Sequence, residues 1–383
     1  MNKFKKILAV LLAVIMISAF AGCSVKPDWS YKSKNASYSE GVYIYSLFSA
    51  YNEAYSILQE SLGEKFDSTS SILDITSTFD ETGEEYLCED WIYEQADIIT
   101  RNLAAIDEEI KKHDIKLDKT QVESARELAR EDWYLDPYYE YYVASGYEAV
   151  SYEDMLSEYG VSFDSFFTSS YLASVKQSAI FDHIYGKGGE EEVTDKELKD
   201  YFTDNYTSYA YFVVNLYETD IDDDSNQQIY YPYADELIDE VEAELKGYKK
   251  LINSGTDYSE VVTKYMKKHN LTADPTVDNI EILEGSALGE EVLEALKELK
   301  EGKATYLRVG DGDTSVMYFI TKFDIEEEAK AYLSNESNSH TIIQSLKSED
   351  FSAFLNEITE NVEVKTNEDV ISKYNPSMFE ADH

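Results

Sequence analysis

The sequence predicts an α+β protein in which helical N-terminal and C-terminal segments form one lobe around an inserted small α/β domain. Three observations carry this expectation. Apolar residues recur at spacings of three and four up to residue 205 and again from residue 326. Between those stretches the period drops to two at Ser208, where Tyr209-Ala210-Tyr211-Phe212-Val213-Val214-Asn215-Leu216 has the β-branched and aromatic content of a strand. Two more such runs, Tyr306 to Val309 and Val316 to Phe323, flank Gly310-Asp311-Gly312-Asp313, a hairpin-turn composition.

In chain order, residues 1–22 stand outside the fold. Lys3, Lys5 and Lys6 precede an apolar run from Ile7 to Phe20, too short to remain as a spanning helix, and Ala21-Gly22 supply the small residues of a cleavage point. Residues 23–40 read as a polar tether. A helical N-terminal domain is expected over 41–205. Its first helix places Tyr43, Leu47, Ala50, Tyr51, Ala54 and Leu58 on one face; its second, from Tyr86 to His113, carries Trp91, Ala96, Ile99, Leu103, Ile106 and Ile110. Asp118-Lys119-Thr120-Gln121 opens a third, which Pro137 breaks. Phe163 to Tyr185 is a fourth, stopped by Gly186-Lys187-Gly188-Gly189. Thr194-Asp195-Lys196-Glu197 has the hydroxyl and the Glu of a capping box.

The α/β domain is expected over 206–325. After its first strand come a charged loop from Asp220 to Gln228 and a long helix from Tyr233 to Ser254. A shorter helix from Tyr258 to His269, a strand at Ile280 to Leu283, a helix from Val292 to Lys300 and the hairpin complete it. The C-terminal segment, 326–383, is one helical stretch to 361 and a polar tail.

Charge narrows the partners. The chain has 33 basic and 77 acidic residues and a net charge of −44; losing residues 1–22 removes three lysines and no acid, which leaves −47. Such a field excludes nucleic acid as a partner and repels anionic headgroups. The apolar share of 43% and aromatic share of 14% still argue for folded domains rather than disorder.

Phe20-Ala21-Gly22-Cys23 resembles the bacterial lipobox, in which the Cys is acylated and becomes the new N-terminus. The resemblance implies a protein on the outer face of the cytoplasmic membrane, held through lipid on Cys23 rather than by a spanning helix. Cys88 is then left without a disulfide partner and, beside Tyr86, Leu87 and Trp91, reads as a small buried hydrophobe.

The order of segments from about residue 40 resembles the PrsA-type foldase lipoproteins of Gram-positive bacteria and the related SurA chaperones. Lys112-His113-Asp114-Ile115-Lys116-Leu117-Asp118 is similar to that family's link between N-domain helices, and Tyr159-Gly160-Val161-Ser162-Phe163 to the start of its next helix. Val193-Thr194-Asp195-Lys196-Glu197-Leu198-Lys199-Asp200-Tyr201-Phe202 resembles the lead-in to its parvulin domain. Leu299-Lys300-Glu301-Gly302-Lys303 resembles the turn before the final parvulin hairpin, and Val364 to Tyr374 the family's ending.

The resemblance implies a parvulin-like domain at 206–325, a chaperone-like helical lobe, unfolded or secreted client polypeptides as partners and no cofactor. A homodimer is compatible with it. Parvulins isomerise X-Pro bonds with two His on neighbouring strands and a Gly-Gly-acid-Leu-Gly loop. The His positions fall at Tyr211 and Tyr318, and Lys268 to Leu283 holds no Gly. The resemblance therefore implies a degenerate domain, inactive as an isomerase, although two tyrosines on facing strands keep a hydroxyl pair. An active prolyl isomerase and a solute-binding or structural surface lipoprotein are the rival readings.

Tyr134, Tyr138, Tyr139, Tyr141 and Tyr142 head a crowd of tyrosines that runs on to Tyr147 and Tyr152. They read either as a client-binding surface, large apolar bodies with polar tips, or as an aromatic seam between helices. Asp220, Asp222 and Asp224 alternate as in a calcium loop, but Ser225 and Tyr231 stand where Gly and Glu are needed, which favours a solvated acidic loop over a weak Ca²⁺ site. The five His show no paired spacing, so no metal site is expected, and His269 reads as a solvated helix end.

Overall fold

The computed structural model describes residues 28–80, 83–134, 151–221, 228–310 and 312–382. Cys23, the leader, Pro137, Tyr138, Tyr139, Tyr141, Tyr142, Tyr147, Asp222 and Asp224 lie outside the described residues. The architecture is α+β: long helices with small antiparallel sheets. The chain divides into two compact units. One comprises Met1–Ile184, Gly188–Glu190 and Glu349–His383, the other Tyr185–Lys187 and Glu191–Ser348.

The first unit begins with β1 (Trp29–Lys32), paired to β2 (Ser37–Ser39) with Tyr31 opposite Tyr38. The segment expected to be a tether is thus structured from Trp29 on. A four-residue strand is too short to show alternation, and its stability comes from a remote partner at the end of the chain. Helix α1 (Glu40–Leu62) buries Tyr43, Leu47, Ala50, Tyr51, Ala54 and Leu58, the stripe its spacing predicts. A two-stranded ribbon, β3 (Thr76–Thr78) and β4 (Glu85–Leu87), leads into α2 (Cys88–Lys112), which packs on α1. At that seam the buried Thr100 hydroxyl donates to Ala96 O at 2.8 Å and lies 3.1 Å from Ser46 Oγ, so both polar groups are satisfied inside the core. Cys88 is fully buried, and burial pushes its thiol up to about 12, so it is an inert packing residue.

Helix α3 (Lys119–Tyr134) starts where Asp118 Oδ1 accepts the amides of Thr120 and Gln121, at 2.7 and 3.0 Å. After α4 (Tyr152–Leu156), the expected fourth helix is two, α5 (Phe163–Ser169) and α6 (Tyr171–Tyr185). Ser170, with φ −112° and ψ −79°, departs from helical geometry, although its amide still donates to Phe166 O and its carbonyl accepts from Ser174 N, both at 3.1 Å. No Gly or Pro marks the site.

Several tyrosines of this unit are buried against carboxylates. Tyr31 donates to Asp97 at 2.7 Å and Tyr38 to Asp107 at 2.6 Å. Burial first, and the neighbouring carboxylate second, hold both phenols far above their ordinary value of 10.0. A pKa raised in the folded state gives stability that is complete below the unfolded value and is lost as pH rises past it. The fold is therefore expected to hold to about pH 10 and then to unfold as phenolates form in the unfolded chain. An alkaline titration followed by phenolate absorbance and circular dichroism checks this. Ionisation of every tyrosine near pH 10 with the fold intact would contradict it.

The second unit opens with α7 (Asp195–Asn205) behind the predicted capping box. Thr194 Oγ1 accepts from Glu197 N at 3.2 Å, and Glu197 Oε2 accepts from Thr194 N at 2.9 Å. Strand β5 (Thr207–Asn215) follows. The expected charged loop is bounded by a ribbon instead, β6 (Tyr217–Ile221) with β7 (Gln228–Pro232), whose Tyr217 and Tyr230 rings meet across the strands at 5.2 Å. Cross-strand aromatic packing outweighs the poor strand propensity of Glu218 and Asp220.

Helices α8 (Asp235–Asn253) and α9 (Tyr258–His269) come next, then β8 (Val277–Glu281), α10 (Glu290–Glu298), β9 (Lys303–Val309) and β10 (Val316–Lys322). The sheet order is β8-β5-β10-β9, all antiparallel, so β5 and β10 are central. Period two divides the side chains between two faces. Phe212, Leu216, Ala304, Met317 and Phe319 pack on α8 and α9 through Leu245, Tyr248, Ile252, Val261 and Tyr265. Tyr209 and Ile320, on the opposite face, pack on Leu283 and on Val292 and Leu296 of α10.

The helical stretch expected over 326–361 is also two helices, α11 (Ile325–Leu333) and α12 (Glu336–Asn361). Asn335 Oδ1 accepts from Ser337 N at 2.9 Å and Asn338 N at 3.3 Å, which caps the second. Beyond α12, β11 (Lys365–Thr366) pairs with β1, and Phe379 enters the core of the first unit against Phe48 and Tyr159.

Candidate functional site

The two tyrosines that the resemblance sets at the parvulin His positions meet on one face of the second unit's sheet. Tyr211 on β5 is opposite Ile320, and Tyr318 on β10 is opposite Val213. They are diagonal neighbours on the same side of the pleat. Their ring centroids are 5.4 Å apart at an interplanar angle of 39°, and both are half-buried. Tyr209 extends the row, its ring 6.3 Å from that of Tyr211 and nearly parallel. Leu288, Leu293, Leu299 and Leu307 pack, like Tyr211 and Tyr318, against the buried cluster that Tyr209 forms with Leu283, Val292, Leu296 and Ile320.

Polar contacts fix one end. Tyr209 donates to Glu281 Oε1 at 2.5 Å and lies 3.3 Å from Asn279 Nδ2. Burial, and then the Glu281 hydrogen bond, push its phenol up to about 12. Burial raises Tyr211 too, and its neighbours Tyr318 and Glu281 act in the same direction. These phenols keep their protons at neutral pH. The face can therefore offer aromatic area and hydroxyl donors, but it cannot exchange a proton near neutrality as an imidazole does.

Other sequence-predicted positions fall elsewhere. Tyr134, at the end of α3, is exposed. Tyr152, from the same tyrosine-rich stretch, packs at 5.3 Å on the Phe166 ring and belongs to the core seam. Asp220, on β6, is exposed, with Oδ1 accepting from Ile221 N. His269 lies at the exposed end of α9 but is not merely solvated. Its Nε2 is 3.0 Å from Glu244, and its ring lies on Tyr265 at 4.5 Å. Burial of Glu244 works against its charge, yet bonds from Lys268, Tyr248 and His269 hold its carboxyl below the usual range.

Sequence reading missed a second constellation. His113 and His183, 70 residues apart, meet at 3.2 Å beside Glu190. Spacing rules for metal ligands act within one helix or loop and cannot register a pair made by two helix ends.

No protein-family profile and no curated protein matches the chain. Solved structures do. The foldase protein PrsA from Streptococcus pneumoniae str. Canada MDR_19A aligns at 14% identity and a TM-score of 0.33, over 79% of this chain and 98% of that one. PrsA from Bacillus subtilis aligns at 14% identity and a TM-score of 0.21, over 72% and 93%. The chain is thus similar to PrsA foldase structures, the group its sequence resembles.

Proposed function

We propose that the protein is an extracytoplasmic, lipid-anchored folding factor that holds client polypeptides and carries a parvulin-like domain without isomerase activity. The observation that carries this reading is the pair of half-buried phenols, Tyr211 and Tyr318, in contact on two central strands. An isomerase must stabilise a twisted amide against a barrier of about 18–20 kcal/mol, which takes preorganised polar groups aimed at that amide. Here the centre is an aromatic row whose neighbours are leucines. That surface can hold an extended apolar segment, and its hydroxyls can donate to peptide carbonyls.

Each unit also exposes apolar side chains of its own that suit holding. Ile221 and Tyr231 on the β6–β7 ribbon are 62% and 51% exposed, and Leu128 and Tyr134 on α3 are 56% and 53% exposed. Contacts of this kind are individually weak, so a client can leave and fold. The acidic surface limits self-association. Acyl chains on Cys23 would keep this surface where secreted chains emerge.

Light scattering by a chemically denatured, aggregation-prone reporter tests the holding activity. Equimolar protein is expected to suppress aggregation, and Ile221→Ser with Tyr231→Ser to weaken that suppression. An unchanged scattering trace contradicts the reading.

A further inference from the structure

Three donor atoms from distant parts of the first unit converge near the end of α2. His113 Nδ1 lies 3.2 Å from His183 Nε2 and 3.3 Å from Glu190 Oε1, and His183 Nε2 lies 3.4 Å from the same oxygen. The three form a nearly equilateral triangle. A tetrahedral ion with bonds of about 2.0–2.1 Å places its ligands about 3.3–3.4 Å apart. The triangle has the dimensions of one face of that tetrahedron.

The surroundings are those of a metal-ligating histidine. His113 Nε2, the nitrogen outside the triangle, is 3.2 Å from Glu109 Oε2, and Glu109 is buried and held by Lys112 at 3.0 Å. A carboxylate behind the ring fixes the proton on Nε2 and turns the Nδ1 lone pair toward the other two donors. Glu190 is fixed as well. Its amide donates to His183 O at 3.2 Å. Gly188, at φ +79°, makes the turn, and a Cβ at Gly189 would stand 2.5 Å from Ile184 O, so only glycine lets the loop close on the helix end.

Proton bookkeeping favours a cation. With Nε2–H of His113 given to Glu109, the triangle holds a lone pair on Nδ1, an ionised carboxylate and His183 Nε2. One N–H from His183 can serve only one of the two acceptors facing it. A cation at the centre satisfies all three. Side-chain exposures of 25%, 34% and 59% leave a path for an ion and a fourth corner open to water.

We propose that His113, His183 and Glu190 form a three-ligand site for a divalent transition-metal ion of the zinc type, with Glu109 as its outer carboxylate. Two imidazoles and one carboxylate suit Zn²⁺ and not Ca²⁺ or Mg²⁺, which take oxygen. The ion ties the end of α2 to the end of α6 and to the turn at 188–190.

Titration of the full chain with Co²⁺, followed by displacement with Zn²⁺, tests the site. One equivalent of Co²⁺ is expected to give the intense visible absorption of a tetrahedral centre, and Zn²⁺ to erase it while Ca²⁺ does not. His183→Ala should remove the band. Glu109→Gln, which leaves all three ligands in place, should weaken binding about 10–100-fold. Both variants should melt with the parent protein in chelator, which shows they are folded. Absence of the band, or a band that survives His183→Ala, overturns the proposal.

Discussion

Phe319→Ala is expected to cost the second unit about 3–5 kcal/mol. The side chain is fully buried on β10, paired in register with Phe212, whose ring is 5.1 Å away, and 6.4 Å from Tyr248 of α8. It joins the central strand pair to the helices that cover that face. Truncation leaves a cavity whose walls belong to elements held by ladder hydrogen bonds, so they cannot collapse into it. A domain has only about 5–15 kcal/mol in total, so the loss is a large share. Hydrogen exchange over 207–215 and 316–322 reads it directly: protection there should fall together on both strands. Protection within about 1 kcal/mol of the parent would show that the core is not organised around this ring.

Cys23→Ala is expected to move the protein from the membrane fraction to the medium. Membrane attachment through acyl chains scales with buried methylenes, at about 0.8 kcal/mol for each, so under the proposed anchoring the loss of Cys23 removes that attachment. No helix among the described residues is long and apolar enough to cross a membrane. The net charge of the chain opposes adsorption to anionic headgroups. Cell fractionation with detection in the medium measures the result, and full retention of the variant in the membrane would contradict the anchor.

The parts of the fold legible in the sequence are those set by local chemistry. The capping box at Thr194 and Glu197 forms as the residue types require, and the apolar stripe of α1 is buried as its spacing predicts. The helix Tyr258–His269 has its expected limits, and the alternating run from Tyr209 is the central strand. What was not legible depends on distant partners. Trp29–Lys32 is a strand because Ser37–Ser39 and Lys365–Thr366 pair with it. The break at Asn335 rests on asparagine bonds that compete with the helix ladder, a weaker sign than Gly or Pro, and the one at Ser170 carries no such mark.

The candidate site divides in the same way. Tyr211 and Tyr318 were traceable through the resemblance, which sets them at the parvulin His positions, and the register of β5 and β10 brings them together. Glu281 as the partner of Tyr209 was not traceable, since the edge strand β8 runs Val277–Glu281 rather than Ile280–Leu283 and the shift changes which side chains share a face. The His113 and His183 pair depends on where two helices end, which no local pattern records.

On the proposed reading, phenols at 211 and 318 make a holding surface and not an isomerase. Refolding of a reporter limited by a proline isomerisation, with and without the full chain, measures this most directly. An unchanged slow phase is expected at every protein concentration that suppresses aggregation. A catalysed slow phase that Tyr211→Phe with Tyr318→Phe abolishes would contradict it.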